Sequence, residues 1–192
     1  MGRVTGGLVL AAGAGSRYGM PKALVPYPDR LLVQRAADTL KEAGVDEIVV
    51  VLGAEAERVR EVAPDLPPTV INEDWRSGLG SSLKVGLTAL TSAESAVVLL
   101  VDMPGVTAEA VRRVVAHGTV DALVMGGYGK RRGHPVLLGR AHWAGVIETA
   151  TGDSGARDYL RARDVRVVPV GDVADDLDLD LPELNPHSRA RS

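Results

Sequence analysis

Two hydrophobic rhythms alternate along the chain. Apolar runs with few polar interruptions, at 6–11, 47–52, 69–72, 96–101, 121–125, 136–138 and 165–170, read as strands buried on both faces. Between them lie stretches with apolar residues at helical spacing: 31–43, marked by Leu32, Ala36, Leu40 and Ala43, then 54–62, 83–90, 108–116, 140–149 and a short helix reaching Leu160. Gly44 stands where a C-cap belongs, Pro64 ends the second helix, and Thr107 is placed to cap the fourth. Gly78, Gly80, Ser81 and Ser82 precede the third helix, so a serine is its expected cap. Asp153 or Ser154 is the expected cap of the helix ending at Leu160, and 126–133 reads as a glycine-rich, basic turn. Regular alternation of strands and helices predicts an α/β fold, a Rossmann-like three-layer α/β/α arrangement around a mainly parallel sheet.

Nothing in the composition divides this pattern. A chain of 192 residues without repeats or linkers predicts a single domain over 1–185, and the polar tail at 186–192 is expected to be disordered. A net charge of −3 gives no footprint for wrapping nucleic acid, so any polyanionic ligand must be small and held locally. The absence of cysteine excludes disulfides, thiolate metal sites and a cysteine nucleophile. Aromatic residues make up only 3%, so a binding surface of stacking rings is not expected. Arg3 precedes a short apolar run, but glycines interrupt the run and cleavage there would remove the loop described next, which argues against a signal peptide. Gly2 lacks the hydroxyl residue that a myristoylation signal requires, and no segment reaches membrane-spanning length. The expectation is a cytoplasmic protein with no membrane partner.

The first strand runs into Gly13, Gly15, Ser16, Arg17, Gly19 and Lys22. Glycine lets the backbone turn through positive φ and present bare N–H groups to an anion. Arg17 adds a planar fork of donors and Lys22 a compact point charge, which together suit phosphate. A Walker A loop is excluded because no hydroxyl residue follows the lysine. The dinucleotide fingerprint of dehydrogenases is excluded because Gly13, Gly15 and Gly19 are spaced one residue too far apart. Asp102 follows the most hydrophobic run, at the carboxyl edge where open α/β sheets bind ligands. With Thr107 available as the cap, it is read as a metal ligand. His134 is flanked by Gly133 and Pro135 beside an expected pocket, whereas His117, His142 and His187 show no ligand spacing. The acidic stretch 172–180 reads as a solvated face from which one member turns inward.

These stretches resemble the MobA-like nucleotidyltransferases, and within them the molybdenum cofactor cytidylyltransferase branch. LAAGAGSRYGMPK carries the signature, and NEDWRSGLGSSLKVGL, VDMPGV, GHPVLLG, TGDSGAR and DLDLPEL have counterparts in the same order. The resemblance implies a nucleotide-diphospho-sugar transferase-like fold with a nucleotide-binding first half and an acceptor-binding second half. It implies that Leu10, Ala11, Ala12, Gly13, Gly15 and Ser16 hold the nucleotide, with Arg17 and Lys22 on its triphosphate and Asn72 and Ser81 near base or ribose. It further implies Mg²⁺ on Asp102, a second metal or substrate contact at Asp180, and Gly133, His134 and Asp153 on the acceptor side. Tyr18 and Leu181 depart from the methionine and threonine of the pattern. Ala12, where guanylyltransferases of the group tend to have glycine, points to CTP, since one methyl group in a close-packed pocket can exclude a larger purine.

The expected reaction is attack by an acceptor phosphate on the α-phosphorus of an NTP, with CTP favoured and a phosphorylated small molecule such as molybdopterin as acceptor. A phosphomonoester is largely ionised near neutrality, its second pKa being about 6, so no general base is needed. A molybdoenzyme maturation partner is also among the partners implied. One alternative is transfer to a sugar, polyol or choline phosphate. Another, from a different class, is a nucleotide-binding regulatory protein without turnover.

Overall fold

The apolar rhythm folds into one sheet of seven strands in the order β3-β2-β1-β4-β6-β5-β7. The computed structural model describes residues 4–187; Gly2, Arg3 and residues 188–192 of the expected tail lie outside the described residues. The strands are β1 (Thr5–Ala11), β2 (Glu47–Leu52), β3 (Thr69–Ile71), β4 (Ser95–Leu100), β5 (Leu123–Tyr128), β6 (Arg131–Gly139) and β7 (Arg166–Pro169). The helices are α1 (Leu32–Glu42), α2 (Ala56–Val62), α3 (Leu79–Ala89), α4 (Ala108–Val115), α5 (Trp143–Thr149) and α6 (Arg157–Arg161). Among the described residues no helix is long and apolar enough to cross a membrane.

The period-two alternation of strand side chains divides the core into two layers. Val9 and Ala11 of β1 pack with Val50, Leu52, Val97 and Leu99 beneath α1, α2 and α4. Leu8 and Leu10 pack with Val49, Val51 and Val98 beneath α3, α5 and α6. Both faces are covered, which explains the unbroken apolar runs and gives the three-layer α/β/α fold. Leu40 on one side and Leu87 on the other are almost fully buried, and each such side chain contributes roughly 1.5–3 kcal/mol relative to exposure.

Tertiary contacts move several element boundaries away from where the local pattern puts them. The basic turn at 126–133 is a hairpin: β5 continues to Tyr128, β6 starts at Arg131, and β6 runs antiparallel to both of its neighbours. Gly126 and Gly127 concealed this strand, because glycine is normally depleted there. A Cβ on Gly127 would come within 2.7 Å of the Val167 side chain, so close packing against β7 demands the small residue. Helix α3 begins at Leu79 with Gly78 as its N-cap, so Ser81 and Ser82 lie inside the helix and cap nothing. Gly78 has φ +109° and lies where an added Cβ would meet the Gly152 backbone at 2.5 Å, which fixes the entry point ahead of the serines. Helix α6 lacks the expected Asp153 or Ser154 cap; residues Gly152–Ser154 form their own 3-10 turn, and Ser154 Oγ donates to Thr151 O at 2.9 Å. Thr107 does cap α4, accepting from Ala110 N at 3.2 Å.

Two features of the fold position the site. Leu10 and Leu100 are paired in register, so the loops that follow β1 and β4 begin side by side at the carboxyl edge. After β7 the chain returns across that edge as a strap: Leu179 N donates to Asp102 O at 2.9 Å and the Leu179 side chain is buried. Farther along the strap, buried Asn185 donates to Tyr18 Oη at 3.1 Å and Pro26 O at 3.4 Å.

Candidate active site

The loop after β1 is shaped by its own backbone. Gly15 adopts φ +62°, and a Cβ there would collide with Met20 O, so only glycine fits. Gly19 N donates back to Gly15 O at 2.8 Å, closing the loop, while Gly13 faces open space and Ser16 is exposed. Leu10, Ala11 and Ala12 are buried, and Ala12 O accepts from Ala54 N at 2.9 Å. The Ala12 methyl therefore belongs to the core on the α3 side of the sheet.

Lys22 sits in the 3-10 turn Lys22–Leu24, and its ammonium joins two carboxylates. Nζ donates to Asp102 Oδ2 at 2.8 Å and to Asp180 Oδ1 at 2.7 Å, and Arg17 Nη1 donates to Asp180 Oδ2 at 2.9 Å. The lysine side chain is 13% exposed and the Asp102 side chain 21%, whereas Arg17 at 78% reaches into solvent. Burial alone would lower the Lys22 pKa, but the hydrogen bonds to Asp102 and Asp180 outweigh it and raise the pKa above the usual value. The bond from Lys22 in turn holds the Asp180 carboxyl below its ordinary range. Arg17, Lys22, Asp102 and Asp180 thus join in one chain of ion pairs.

Among the described residues there is no cluster of three or more metal-ligating side chains. Two carboxylates converging on one positive centre nonetheless suit Mg²⁺, which commonly takes only one or two carboxylates and completes its shell with phosphate and water. The donor set fits that ion in the presence of a triphosphate.

One residue unmarked by the motifs ties these segments together. Arg35 of α1 donates through Nε and Nη2 to Pro104 O, at 3.0 and 2.8 Å, and so holds the turn that bears Asp102. Its guanidinium lies 5.4 Å from the Tyr27 ring centroid, and His187 of the strap meets the same ring edge-on at 4.7 Å.

Asn72 and Ser81 come together, but their polar groups are engaged with protein. Asn72 Nδ2 donates to Ser81 Oγ at 2.8 Å and Ser82 Oγ at 3.0 Å, and its Oδ1 accepts from Asp74 N at 3.0 Å. These bonds brace the turn from β3 into α3. Trp75 of that turn reaches Gly53, beside Ala12 O, so the segment abuts the first loop.

Gly133, His134 and Asp153 meet at a cavity of about 350 Å³ between the sheet and helices α3 and α6. Its floor includes Leu10, Leu83, Val98, Val136 and Leu138, and Arg132, Arg157 and Arg161 also line it. Arg157 lies in the same TGDSGAR stretch as Asp153 and lines the cavity with it, although no sequence signal marked it. His134, partly accessible and joined to Pro135 by a cis peptide bond, has its pKa pushed down to about 4 by desolvation and by Arg157, against the opposing pull of Asp102. The imidazole is therefore neutral at physiological pH.

The chain is similar in sequence and fold to known proteins. A protein of Paenarthrobacter nicotinovorans named nicotine blue oxidoreductase is 40% identical over 167 residues, covering 82% of this chain and 81% of that protein. The crystal structure of Rv0371c from Mycobacterium tuberculosis H37Rv superposes with a TM-score of 0.82 at 32% identity, covering 93% of this chain and 94% of that one. A structure of that protein in complex with manganese matches with a TM-score of 0.78 at 30% identity and the same coverage. Residues 7–167, which include the glycine loop after β1, Asp102 and the cavity, match the MobA-like NTP transferase domain, and the chain belongs to this nucleotidyltransferase family.

Proposed function

We propose that this enzyme transfers the NMP of an NTP, CTP by preference, to a phosphorylated small molecule of the molybdopterin type. The observation that carries this reading is the convergence of Lys22, Arg17, Asp102 and Asp180 beside a cavity reaching the same sheet edge. An acceptor phosphate oxygen attacks the α-phosphorus, a new P–O bond forms, the bond to the β-phosphate breaks and pyrophosphate leaves. Lys22 and Arg17 neutralise charge on the triphosphate, and the amides of the Gly13–Gly15 stretch orient it. Asp102 and Asp180 would hold Mg²⁺, which when bound supplies further charge neutralisation along the phosphates. The manganese complex of the mycobacterial relative supports a divalent-ion site in this fold. No side chain is required to accept a proton, because the acceptor phosphate is already ionised.

A second reading comes from the Paenarthrobacter relative, whose name denotes a redox reaction. The glycines of this chain form a self-closed loop instead of opening a helix, which disfavours binding of a dinucleotide at that loop. The test is pyrophosphate release measured with each of the four NTPs, Mg²⁺ and a panel of phosphorylated acceptors. Release with CTP and a pterin phosphate is expected, and Asp102→Ala should abolish it while leaving the circular dichroism spectrum unchanged. Nucleotide binding without release from any acceptor would overturn transfer in favour of a regulatory or redox protein.

A further inference from the structure

The strap that crosses the carboxyl edge inverts the usual preference for what is buried. Along 181–187 Leu184 is 54% exposed, and Asn185 alone is buried, at 3%. Burying an amide costs free energy unless its donors and acceptor are bonded, so a segment that exposes leucine and buries asparagine is held there by what the amide bonds. Asn185 meets that demand in full. Its Nδ2 donates to Tyr18 Oη at 3.1 Å and, less closely, to Pro26 O at 3.4 Å, and its Oδ1 accepts from His187 N at 2.9 Å.

Both bonds from Nδ2 end on the segment that carries Arg17 and Lys22. Tyr18 follows Arg17 in the crest of the loop after β1, where Ser16, Arg17 and Gly19 are exposed while the Tyr18 ring packs on the core beneath α1. Pro26 lies just beyond the turn Lys22–Leu24, so Asn185 brackets the two cations from both sides. Tyr18 departs from the methionine of the pattern noted above, and its hydroxyl gives the amide a better acceptor than a thioether. A second tie between strap and loop is of another kind. Asp180 accepts from Arg17 and Lys22, the cations assigned above to the triphosphate, so a bound nucleotide competes with Asp180 for them. Arg17 is also exposed, which leaves its ion pair screened and weak. The Asn185 bonds are neutral, and a phosphate has no claim on either partner.

We propose that Asn185 is a positioning residue: through Tyr18 Oη and Pro26 O it holds the loop after β1 against the strap while Arg17 and Lys22 turn from Asp180 to the nucleotide. Its effect on turnover rests on the transfer reading; its hold on the loop does not.

Amide hydrogen exchange of the full chain without nucleotide, followed by NMR, reports that hold, because the Gly19 N–H closes the crest onto Gly15 O. Tyr18→Phe removes one oxygen and should speed Gly19 exchange about fivefold, the worth of one neutral hydrogen bond. Asn185→Ala should speed it at least as much, and the double variant no more than Asn185→Ala alone. Asp180→Asn should change it by less than about twofold. Leu87→Val, buried on the opposite face of the sheet, lowers global stability without touching the loop and should leave Gly19 exchange unchanged. In pyrophosphate release, Tyr18→Phe should lower kcat about fivefold and raise the KM for NTP less, with Leu87→Val altering neither. Tyr18→Phe, which leaves the strap's own bonds intact, decides the matter if Asn185→Ala does not fold. Gly19 exchange that is unchanged in Tyr18→Phe, or equally faster in Leu87→Val, overturns the proposal. An unchanged kcat in Tyr18→Phe overturns the positioning role and leaves transfer standing. Coupled acceleration of Gly19 exchange in a protein that releases no pyrophosphate with any acceptor would uphold the hold on the loop and overturn transfer.

Discussion

Replacing Lys22 by Met should move metal affinity and turnover in opposite directions. The Lys22 ammonium occupies the space between Asp102 and Asp180, at 2.8 and 2.7 Å, so a divalent ion held by these carboxylates, as proposed above, would have to displace it. Two unit charges about 3 Å apart attract by roughly 6 kcal/mol at an effective dielectric near 20, but desolvation and screening cancel most of this. The Asp102 pair, whose side chains are 13% and 21% exposed, retains about 1–2 kcal/mol, and the pair with Asp180, 36% exposed, retains less than about 1 kcal/mol. Removing both contacts should make displacement easier by about 2 kcal/mol, roughly a thirtyfold gain in affinity. Methionine keeps much of the volume and none of the charge. Titration of Mn²⁺ without nucleotide, followed by electron paramagnetic resonance at pH 7.5, measures the gain. The same variant should lose about 10²–10³ in pyrophosphate release, because charge on the triphosphate goes unneutralised. Unchanged or weaker Mn²⁺ binding would refute the view that Lys22 competes for both carboxylates, and general misfolding would lower both quantities together.

Other consequences are checked as directly. Gly15→Ala places a Cβ against Met20 O at φ +62°, so the loop must reshape; the KM for NTP should rise more than about tenfold, with a stability loss of about 1–3 kcal/mol by urea titration. The His134 pKa of about 4 lies below its unfolded value, so its stability contribution is full above about pH 6.5 and is lost as pH falls toward 4. Between pH 7 and 5 the protein should lose about 2 kcal/mol from this group, and His134→Gln should remove that slope from the urea midpoints. Arg35→Met leaves Pro104 O without its two donors and should cost about 1–2 kcal/mol of stability, lowering kcat more than it raises KM for NTP because the Asp102 turn loosens. A proportionate rise in KM alone would show that Arg35 does not position that turn.

The sequence by itself determined the alternation of elements, the two-sided burial of the sheet and the glycine-rich make-up of the loop after β1. These are local properties: an unbroken apolar run can only be a doubly covered strand or a buried helix, and glycine spacing excludes whole classes of loop. Arg17, Lys22 and Asp102 were legible for the same reason, since their types and places next to strand ends carry the signal. Tertiary structure decided what no local window contains. Serine was a sound local choice for the α3 cap, but the backbone of the Gly152 turn presses on Gly78 and starts the helix earlier. Gly126 and Gly127 belong to a strand because β6 pairs with them on one side and β7 on the other. Asn72 and Ser81 were expected together at the ligand; they do meet, with their side-chain bonds directed to each other and to neighbouring backbone. Arg35 carries no motif, and its role exists only once α1 packs beside the turn after β4. The same holds for the central juxtaposition of the site: Lys22 shares its ammonium between Asp102 and Asp180 because the strap after β7 folds back over the carboxyl edge. Residue type supplies charge, but the meeting of charges from three distant segments is a property of the folded chain alone.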